Sequence, residues 1–378
     1  MDQTSVLIVD DSVIYRKILK DVLEEMDDIR VVGTTANGDL ALKRLAVTHC
    51  DVVLCDVEMP VMGGIDTLKA IQQKYPEKGV VMVSSPQKHN AGIVLEALDL
   101  GALDFIVKPD GNNIVENKEY LKEQISNVVS VFNSQQRNKK NQPLKSIAKK
   151  PLVEAKNPIV KIEKQREIIK PSKVVYPTRI DIVAIGVSTG GPNALGEVIP
   201  KLSAQFPVPM VMVQHMPPLF TASLADSLNK KSAITVVEAK DGMELSSGVL
   251  HIAPGGKHMI VTEVDGSGKR YLKMNDDPPE NSCRPSVDVL FRSISRSYGG
   301  NTLAVVMTGM GSDGKEGVAN IVEAGSAWII TQSSETCTVY GMPASVDQAG
   351  LSNEQIPLNE LANRIETIVR LPRLLRKK

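Results

Sequence analysis

The sequence is poor in features that mark several classes of protein. Its 44 basic and 44 acidic residues leave no net charge, so the overall composition does not favour nucleic acid or an anionic membrane as a partner. The four cysteines form no CxxC pair, which favours reduced thiols and a cytoplasmic location. No uninterrupted apolar run reaches the length of a membrane span. The first residues, MDQTSVLIVDD, carry an acid where a signal peptide carries basic residues.

The charge that is present is unevenly distributed. Residues 133–179 contain thirteen Lys or Arg and only three acids, with many Gln, Asn and Pro and little periodicity. Such a segment buries too little apolar surface to offset the entropy lost on ordering. It is interpreted as a flexible basic linker between a domain at 1–132 and a domain at 180–378. A basic arm for an acidic partner or nucleic acid is the alternative.

Apolar runs alternate with amphipathic segments on both sides of the linker. SVLIVD, RVVGTT, DVVLCD, GVVMVSS and DFIVKP predict five buried strands separated by helices. Short apolar strands that alternate with helices predict a parallel sheet covered on both faces. The fold class is therefore α/β, with an N-terminal (βα)5 unit. The second unit is predicted to be a doubly wound, mostly parallel α/β domain with a β-rich excursion at about 232–275.

Polar side chains follow the predicted strands of the first domain. Asp10 and Asp11 end the first strand, Asp56 the third, Ser84 the fourth and Lys108 the fifth. Ligands of parallel sheets bind where strands end. Clustered carboxylates with a lysine indicate a Mg²⁺ site that also receives phosphate. The simplest chemistry is phosphoryl transfer onto Asp56, with Asp10 and Asp11 holding the metal.

The second domain opens with IGVSTGGP, a Gly-x-Ser-x-Gly pattern between a strand and a helix. This pattern is typical of a strained turn that exposes a serine nucleophile, here Ser188. His215 ends the next predicted strand at the same sheet edge, and Asp313 lies in a glycine-rich loop after a later strand. His215 is the candidate for the base, and Asp313 is the candidate for the acid that orients it. His251 and His258 are weaker candidates for the base. A phosphate-binding loop is the alternative, although the stretch fits neither common nucleotide motif.

Two resemblances follow from these motifs. The DD pair, DVEMPVMGG, Ser84 and the KP at Lys108 resemble the receiver domain of bacterial response regulators. That resemblance implies phosphorylation of Asp56 by a histidine kinase, with Ser84 and an aromatic switch at Phe105 responding. The motifs IGVSTGGP, VQHMPPLFT, IAPGGKHM, RPSVDVLFRSI, MTGMGSDG and VYGMP resemble the chemotaxis protein-glutamate methylesterase family in their order.

The second resemblance implies specific roles and partners. Catalysis falls on Ser188, His215 and Asp313, with support from Thr189 and a backbone donor at Met310. The implied substrates are glutamate γ-methyl esters, and also glutamines, on chemoreceptor cytoplasmic helices. No cofactor is expected at the esterase site, and neither nucleic acid nor direct membrane insertion is expected. A response regulator with a DNA-binding output or a non-catalytic docking protein are the alternatives.

Overall fold

The computed structural model describes residues 3–109, 114–141, 176–262 and 269–375. Most of the predicted linker, residues 142–175, lies outside these ranges. Among the described residues no helix is both long and apolar enough to cross a membrane.

The first domain is a five-stranded sheet in the order β2-β1-β3-β4-β5, with every neighbouring pair parallel. Successive residues of β1 point to opposite faces: Val6 and Ile8 pack in one apolar cluster, and Leu7 and Val9 pack in another. Both faces are therefore covered, as predicted. The elements are β1 Thr4–Val9, α1 Val13–Glu24, β2 Ile29–Thr35, α2 Gly38–Leu45, β3 Val52–Asp56, α3 Gly64–Lys74, β4 Gly79–Ser84, α4 Lys88–Asp99, β5 Asp104–Val107 and α5 Ile114–Asn141.

The last helix of this domain is longer than the sequence pattern indicated. Helix α5 continues to Asn141, so the predicted boundary at residue 132 lies inside it. Its core positions, among them Leu121, Ile125 and Val129, are buried and pack against the α1 side of the sheet. The polar residues after Phe132 extend the helix without an apolar stripe, which is why periodicity placed its end too early.

The second domain is a seven-stranded sheet in the order β14-β13-β12-β6-β7-β9-β8, again parallel throughout. The predicted excursion divides in two: β8 and β9 extend this sheet, and β10 and β11 form a separate antiparallel pair. The elements are β6 Ile182–Val187, α6 Gly191–Val198, β7 Met210–Gln214, α7 Phe220–Lys231, β8 Thr235–Glu238, β9 Val249–Ile252, β10 His258–Val261, β11 Leu272–Asn275, α8 Val287–Tyr298, β12 Thr302–Val306, α9 Lys315–Glu323, β13 Trp328–Gln332, α10 Met342–Gln348, β14 Glu354–Ile356 and α11 Leu358–Leu375.

The two domains pack against each other through α4 and β5 of the first and α6 and α7 of the second. The ring of Phe105 stacks on that of Phe220, with centroids 5.0 Å apart and planes inclined by 9°. The Asp104 carboxylate accepts a hydrogen bond from the backbone N–H of Gly190, and Lys231 forms an ion pair with Asp99. One apolar cluster is continuous across this interface.

Candidate active site

The three predicted catalytic side chains lie at the carboxyl edge of the second sheet. Ser188 directly follows β6, His215 directly follows β7, and Asp313 lies in the loop after β12. In the sheet, β6 stands between β12 and β7. The strands that follow β6 in the chain first add to one side of it and later to the other, so β6 lies at the switch point of the sheet. In α/β sheets the crevice that binds ligands opens at this point.

His215 bridges the other two residues. Its Nδ1 lies 3.1 Å from Ser188 Oγ, and its Nε2 lies 2.8 Å from Asp313 Oδ2. With the carboxylate accepting Nε2–H, Nδ1 carries the lone pair that can accept the serine proton. The structure therefore brings together the three residues that the sequence singled out.

The turn that carries Ser188 depends on its glycines. Gly190 has a φ of +72°, and a Cβ atom there would lie 2.4 Å from Thr338 Oγ1. A Cβ atom on Gly191 would lie 1.9 Å from Gln214 Oε1. The buried Gln214 amide in turn donates to the Ser188 carbonyl at 2.9 Å. Only glycine permits this close packing, which fixes the serine on a tight strand-to-helix turn.

Asp313 is held by the amino terminus of α8. Its carboxylate accepts from Ser286 Oγ at 2.9 Å and from the backbone N–H groups of Val287 at 2.7 Å and Asp288 at 3.0 Å. Burial opposes the ionised form, but the His215 contact and these N–H donors outweigh it, so the pKa of Asp313 lies well below its usual range. The acid is therefore ionised and oriented at neutral pH.

His215 carries the opposite shift. Burial lowers its pKa, whereas hydrogen bonds to Asp313 and Cys283 raise it, and the net shift of the pKa is upward. An imidazole beside a buried carboxylate is stabilised as the cation that forms when a base takes a proton.

A cavity of about 600 Å³ opens over these residues. Thr189 and Met310, the two predicted supporting residues, line it together with Ser188 and His215. The first domain contributes the opposite wall, formed by Asp104, Phe105, Tyr120, Glu123, Gln124, Asn127 and Val128. The receiver-like domain thus borders the space that a substrate must enter.

The two weaker histidine candidates lie elsewhere. His251 is buried in β9 with Nδ1 3.3 Å from the Met210 carbonyl, and burial lowers its pKa. His258 Nε2 lies 3.1 Å from the Pro278 carbonyl. Both are held by backbone contacts, and neither lines the cavity of Ser188.

Two residues beside the triad were not singled out from the sequence. Asn281 Nδ2 donates to Asp313 Oδ1 at 3.1 Å and to Asp288 Oδ2 at 2.9 Å, and Cys283 Sγ lies 3.6 Å from His215 Nδ1. Asn281 and Ser282 have φ angles of +52° and +61°. A left-handed turn of non-glycine residues leaves no pattern in sequence, so only the adjacent RPSVD motif indicated this region.

The predicted acidic site of the first domain is also assembled. Ligand atoms of Asp10, Asp11 and Asp56 all lie within 4.8 Å of one another. Lys108 Nζ lies 2.7 Å from Asp10 Oδ2 and 2.8 Å from Asp56 Oδ2. Ser84 is fully buried at the end of β4, where its hydroxyl donates to the Ser85 carbonyl.

Electrostatics at this site are governed by burial. It raises the pKa of Asp56 to about 6, although Lys108 opposes the shift. Burial lowers the pKa of Lys108, but its contacts with Asp10 and Asp56 outweigh this and the net pKa is raised. Three carboxylates, with the Lys108 cation beside them, offer the oxygen donors that fit a hard divalent ion such as Mg²⁺.

Comparisons with known proteins agree with the two predicted domains. Residues 183–365 match the family model described as CheB methylesterase, and residues 6–118 match that of the response regulator receiver domain. A protein-glutamate methylesterase/protein-glutamine glutaminase of Desulfotalea psychrophila is 40% identical over 98% of this chain and all of its own. The Bacillus subtilis protein of the same name is 41% identical over 98% of this chain and 99% of its own.

A solved structure, the Thermotoga maritima CheB methylesterase catalytic domain, is 38% identical, covers 51% of this chain and 98% of its own, and has a TM-score of 0.48. The relatives are similar along nearly their whole length, and a receiver domain precedes the methylesterase domain in the order that the sequence motifs predicted. The output domain is thus of the methylesterase type rather than a DNA-binding module. This chain belongs to the CheB methylesterase family.

Proposed function

We propose that the protein hydrolyses glutamate γ-methyl esters, and deamidates glutamines, on the cytoplasmic helices of chemoreceptors. The observation that carries the proposal is the bridge of His215 between Ser188 at 3.1 Å and Asp313 at 2.8 Å. A serine hydroxyl is a weak nucleophile without a base, and this geometry supplies one. The names of the relatives supply the substrate class.

The reaction follows from the positions of the three side chains. Ser188 Oγ attacks the ester carbonyl while His215 Nδ1 takes its proton, and Asp313 stabilises the imidazolium. Met310 N–H and Thr189 are the proposed donors to the oxyanion. His215 then protonates the departing methanol, or ammonia from a glutamine. Water, activated by the same imidazole, hydrolyses the acyl-enzyme and restores Ser188 with a free glutamate.

Ser188→Ala tests the assignment. Methanol release from methylated receptor fragments should fall to background, since among the described residues Ser188 is the hydroxyl hydrogen-bonded to His215. Ser282→Ala is the matched control, because Ser282 also lines the cavity. A Ser188→Ala protein that keeps wild-type turnover would show that the nucleophile is misassigned.

We further infer that Asp56 accepts a phosphoryl group from a histidine kinase. Asp10, Asp11 and Asp56 would hold Mg²⁺, which neutralises charge on the transferring phosphoryl oxygens when bound. Lys108, already within 2.8 Å of Asp56, is placed to pair with the phosphoryl group. Support comes from this cluster and from the receiver-domain match over residues 6–118.

Phosphate incorporation from a small phosphodonor tests the acceptor. Asp56→Asn should incorporate none, whereas Asp66→Asn, an exposed acid at the start of α3, should behave as wild type. Labelling should need Mg²⁺, and chelation should abolish it. Wild-type labelling of Asp56→Asn would mean that another residue is the acceptor.

Regulation by docking is proposed from the packing of the two domains. The receiver borders the Ser188 cavity through Asp104 and Phe105. Phosphorylation that draws Ser84 and Phe105 toward Asp56 would remove the Phe105 ring from its stack on Phe220. The receiver would then bind the catalytic domain less tightly and open the cavity.

A further inference from the structure

A thiol stands beside the proposed catalytic base. Cys283 is half-buried in the wall of the Ser188 cavity, with Sγ 3.6 Å from His215 Nδ1. Its backbone is fixed by two hydrogen bonds with Glu280, at 2.9 and 3.1 Å. The left-handed residues Asn281 and Ser282 make this turn. Ester hydrolysis by Ser188 requires no second nucleophile, so the proposed reaction leaves this thiol without a role.

The spacing of the two atoms suits a tetrahedral metal ion. Zinc bonds sulfur at about 2.3 Å and imidazole nitrogen at about 2.0–2.1 Å, which at a tetrahedral angle places the two donors about 3.5 Å apart. The observed separation is 3.6 Å. Ser188 Oγ, 3.1 Å from the same nitrogen, or water can provide a further ligand.

The surroundings of His215 also fit metal binding. Asp313 accepts from Nε2 at 2.8 Å, the contact that orients a histidine so that its other nitrogen faces a metal. Asp313 and Asp288 are buried acids beside the site, and their negative charge favours a cation. The group His215, Cys283 and Asp313 has its ligand atoms within 4.8 Å of one another.

The chemistry of this cluster differs from that of the receiver cluster. A thiolate and an imidazole are soft or borderline donors and select Zn²⁺ over Mg²⁺, whereas the Asp10, Asp11 and Asp56 cluster offers only hard oxygen donors. The two sites should therefore be separable by choice of metal in one protein.

We propose that Cys283 Sγ and His215 Nδ1 bind Zn²⁺ beside Ser188 and that this ion inhibits the esterase. Binding releases the thiol proton to solvent and forms the zinc–sulfur and zinc–nitrogen bonds, without change of oxidation state. The nitrogen that would accept the serine proton is then occupied. The inhibitory part rests on the proposed esterase function, but the binding part does not.

Binding is tested on the full chain with Co²⁺ as an optical probe, in excess Mg²⁺ to occupy the receiver. Wild type should show a thiolate-to-cobalt charge-transfer band, and this band should disappear when Zn²⁺ replaces the bound Co²⁺. Cys283→Ser should lack it. Cys337→Ser is the matched control, because Cys337 is the other half-buried cysteine and the remaining two are buried. Absence of the band in wild type, or its persistence in Cys283→Ser, would overturn the site.

Inhibition is measured as methanol release against free Zn²⁺, each variant relative to its own metal-free rate. Loss of one ligand should raise the half-inhibitory Zn²⁺ concentration by at least about 10-fold in Cys283→Ser, with Cys337→Ser matching wild type. Chelation should restore the rate. Equal inhibition of wild type and Cys283→Ser would overturn the inhibitory role. An enzyme that releases no methanol even without zinc, yet shows the cobalt band, would instead refute the esterase function.

Discussion

At the scale of single residues, the acid of the proposed triad is the one most constrained by its neighbours. Asp313 receives donors from the backbone of α8, from Ser286 and from Asn281, while one oxygen faces His215. Buried polar groups in a fully satisfied network hold one geometry. The imidazole orientation therefore depends on Ser286, Asn281 and the backbone of α8 as well as on Asp313 itself.

Two variants should separate the effect of the Asp313 charge from the effect of its orientation. Asp313→Asn should reduce kcat by about 10⁴-fold, because an amide favours the wrong imidazole tautomer. Ser286→Ala removes one donor at 2.9 Å but leaves the backbone donors, so a loss of about 10-fold is expected. Rates and thermal unfolding should be measured together, since Ser286 also caps α8. Equal losses from both variants would contradict this division.

At the scale of elements, the strands that carry function were predictable because buried parallel strands are short apolar runs. Their ends place Ser188, His215, Asp10 and Asp56 without knowledge of any contact. Periodicity does not reveal which strands pair with each other. The sequence pattern assigned β8 and β9 to the β-rich excursion, whereas their hydrogen bonds place them in the main sheet. The three-residue strand β14 is too short to leave a pattern. Cys283 was missed because a left-handed turn of non-glycine residues leaves no pattern in the sequence.

The contact between β5 and α7 gives a prediction for the resting rate. Phe105→Ala removes the ring that stacks on Phe220 at 5.0 Å. Loss of such a pair should weaken docking enough to raise methanol release without phosphodonor by about 10-fold. Asp99→Ala, which removes only an exposed ion pair with Lys231, should change it by less than about 5-fold. A Phe105→Ala protein with the wild-type resting rate would argue against docking through this ring.

At the scale of the whole molecule, activity should depend on whether the receiver is attached. A fragment that begins near Arg179 should release methanol without phosphodonor and faster than the unphosphorylated full chain. A docking free energy of a few kcal/mol is enough for a large ratio between the rate of the fragment and that of the full chain. Asp56→Ala in the full chain should stay at the resting rate. A fragment no faster than the full chain would exclude occlusion by the receiver.

The ratio of these two rates should also depend on pH. Burial raises the pKa of Asp104 to about 6, against hydrogen bonds from Phe105 and Gly190. Docking therefore favours the protonated acid and weakens as pH rises through about 6. The fragment-to-full-chain ratio should fall between pH of about 5 and about 7.5, while the pH dependence of the chemistry cancels. The same slope in Asp104→Asn would assign it to another group.

The order of the two domains along the chain has a consequence for synthesis on the ribosome. Every described strand and helix of the receiver lies before residue 142, and the triad needs β6, β7 and β12, whose residues extend to Val306. Domains tend to fold as they emerge, the N-terminal one first. The receiver is then already folded when the nascent catalytic domain closes its sheet. With the docking proposed above, each new molecule would leave the ribosome already inhibited, and translation itself would add no burst of unregulated demethylation.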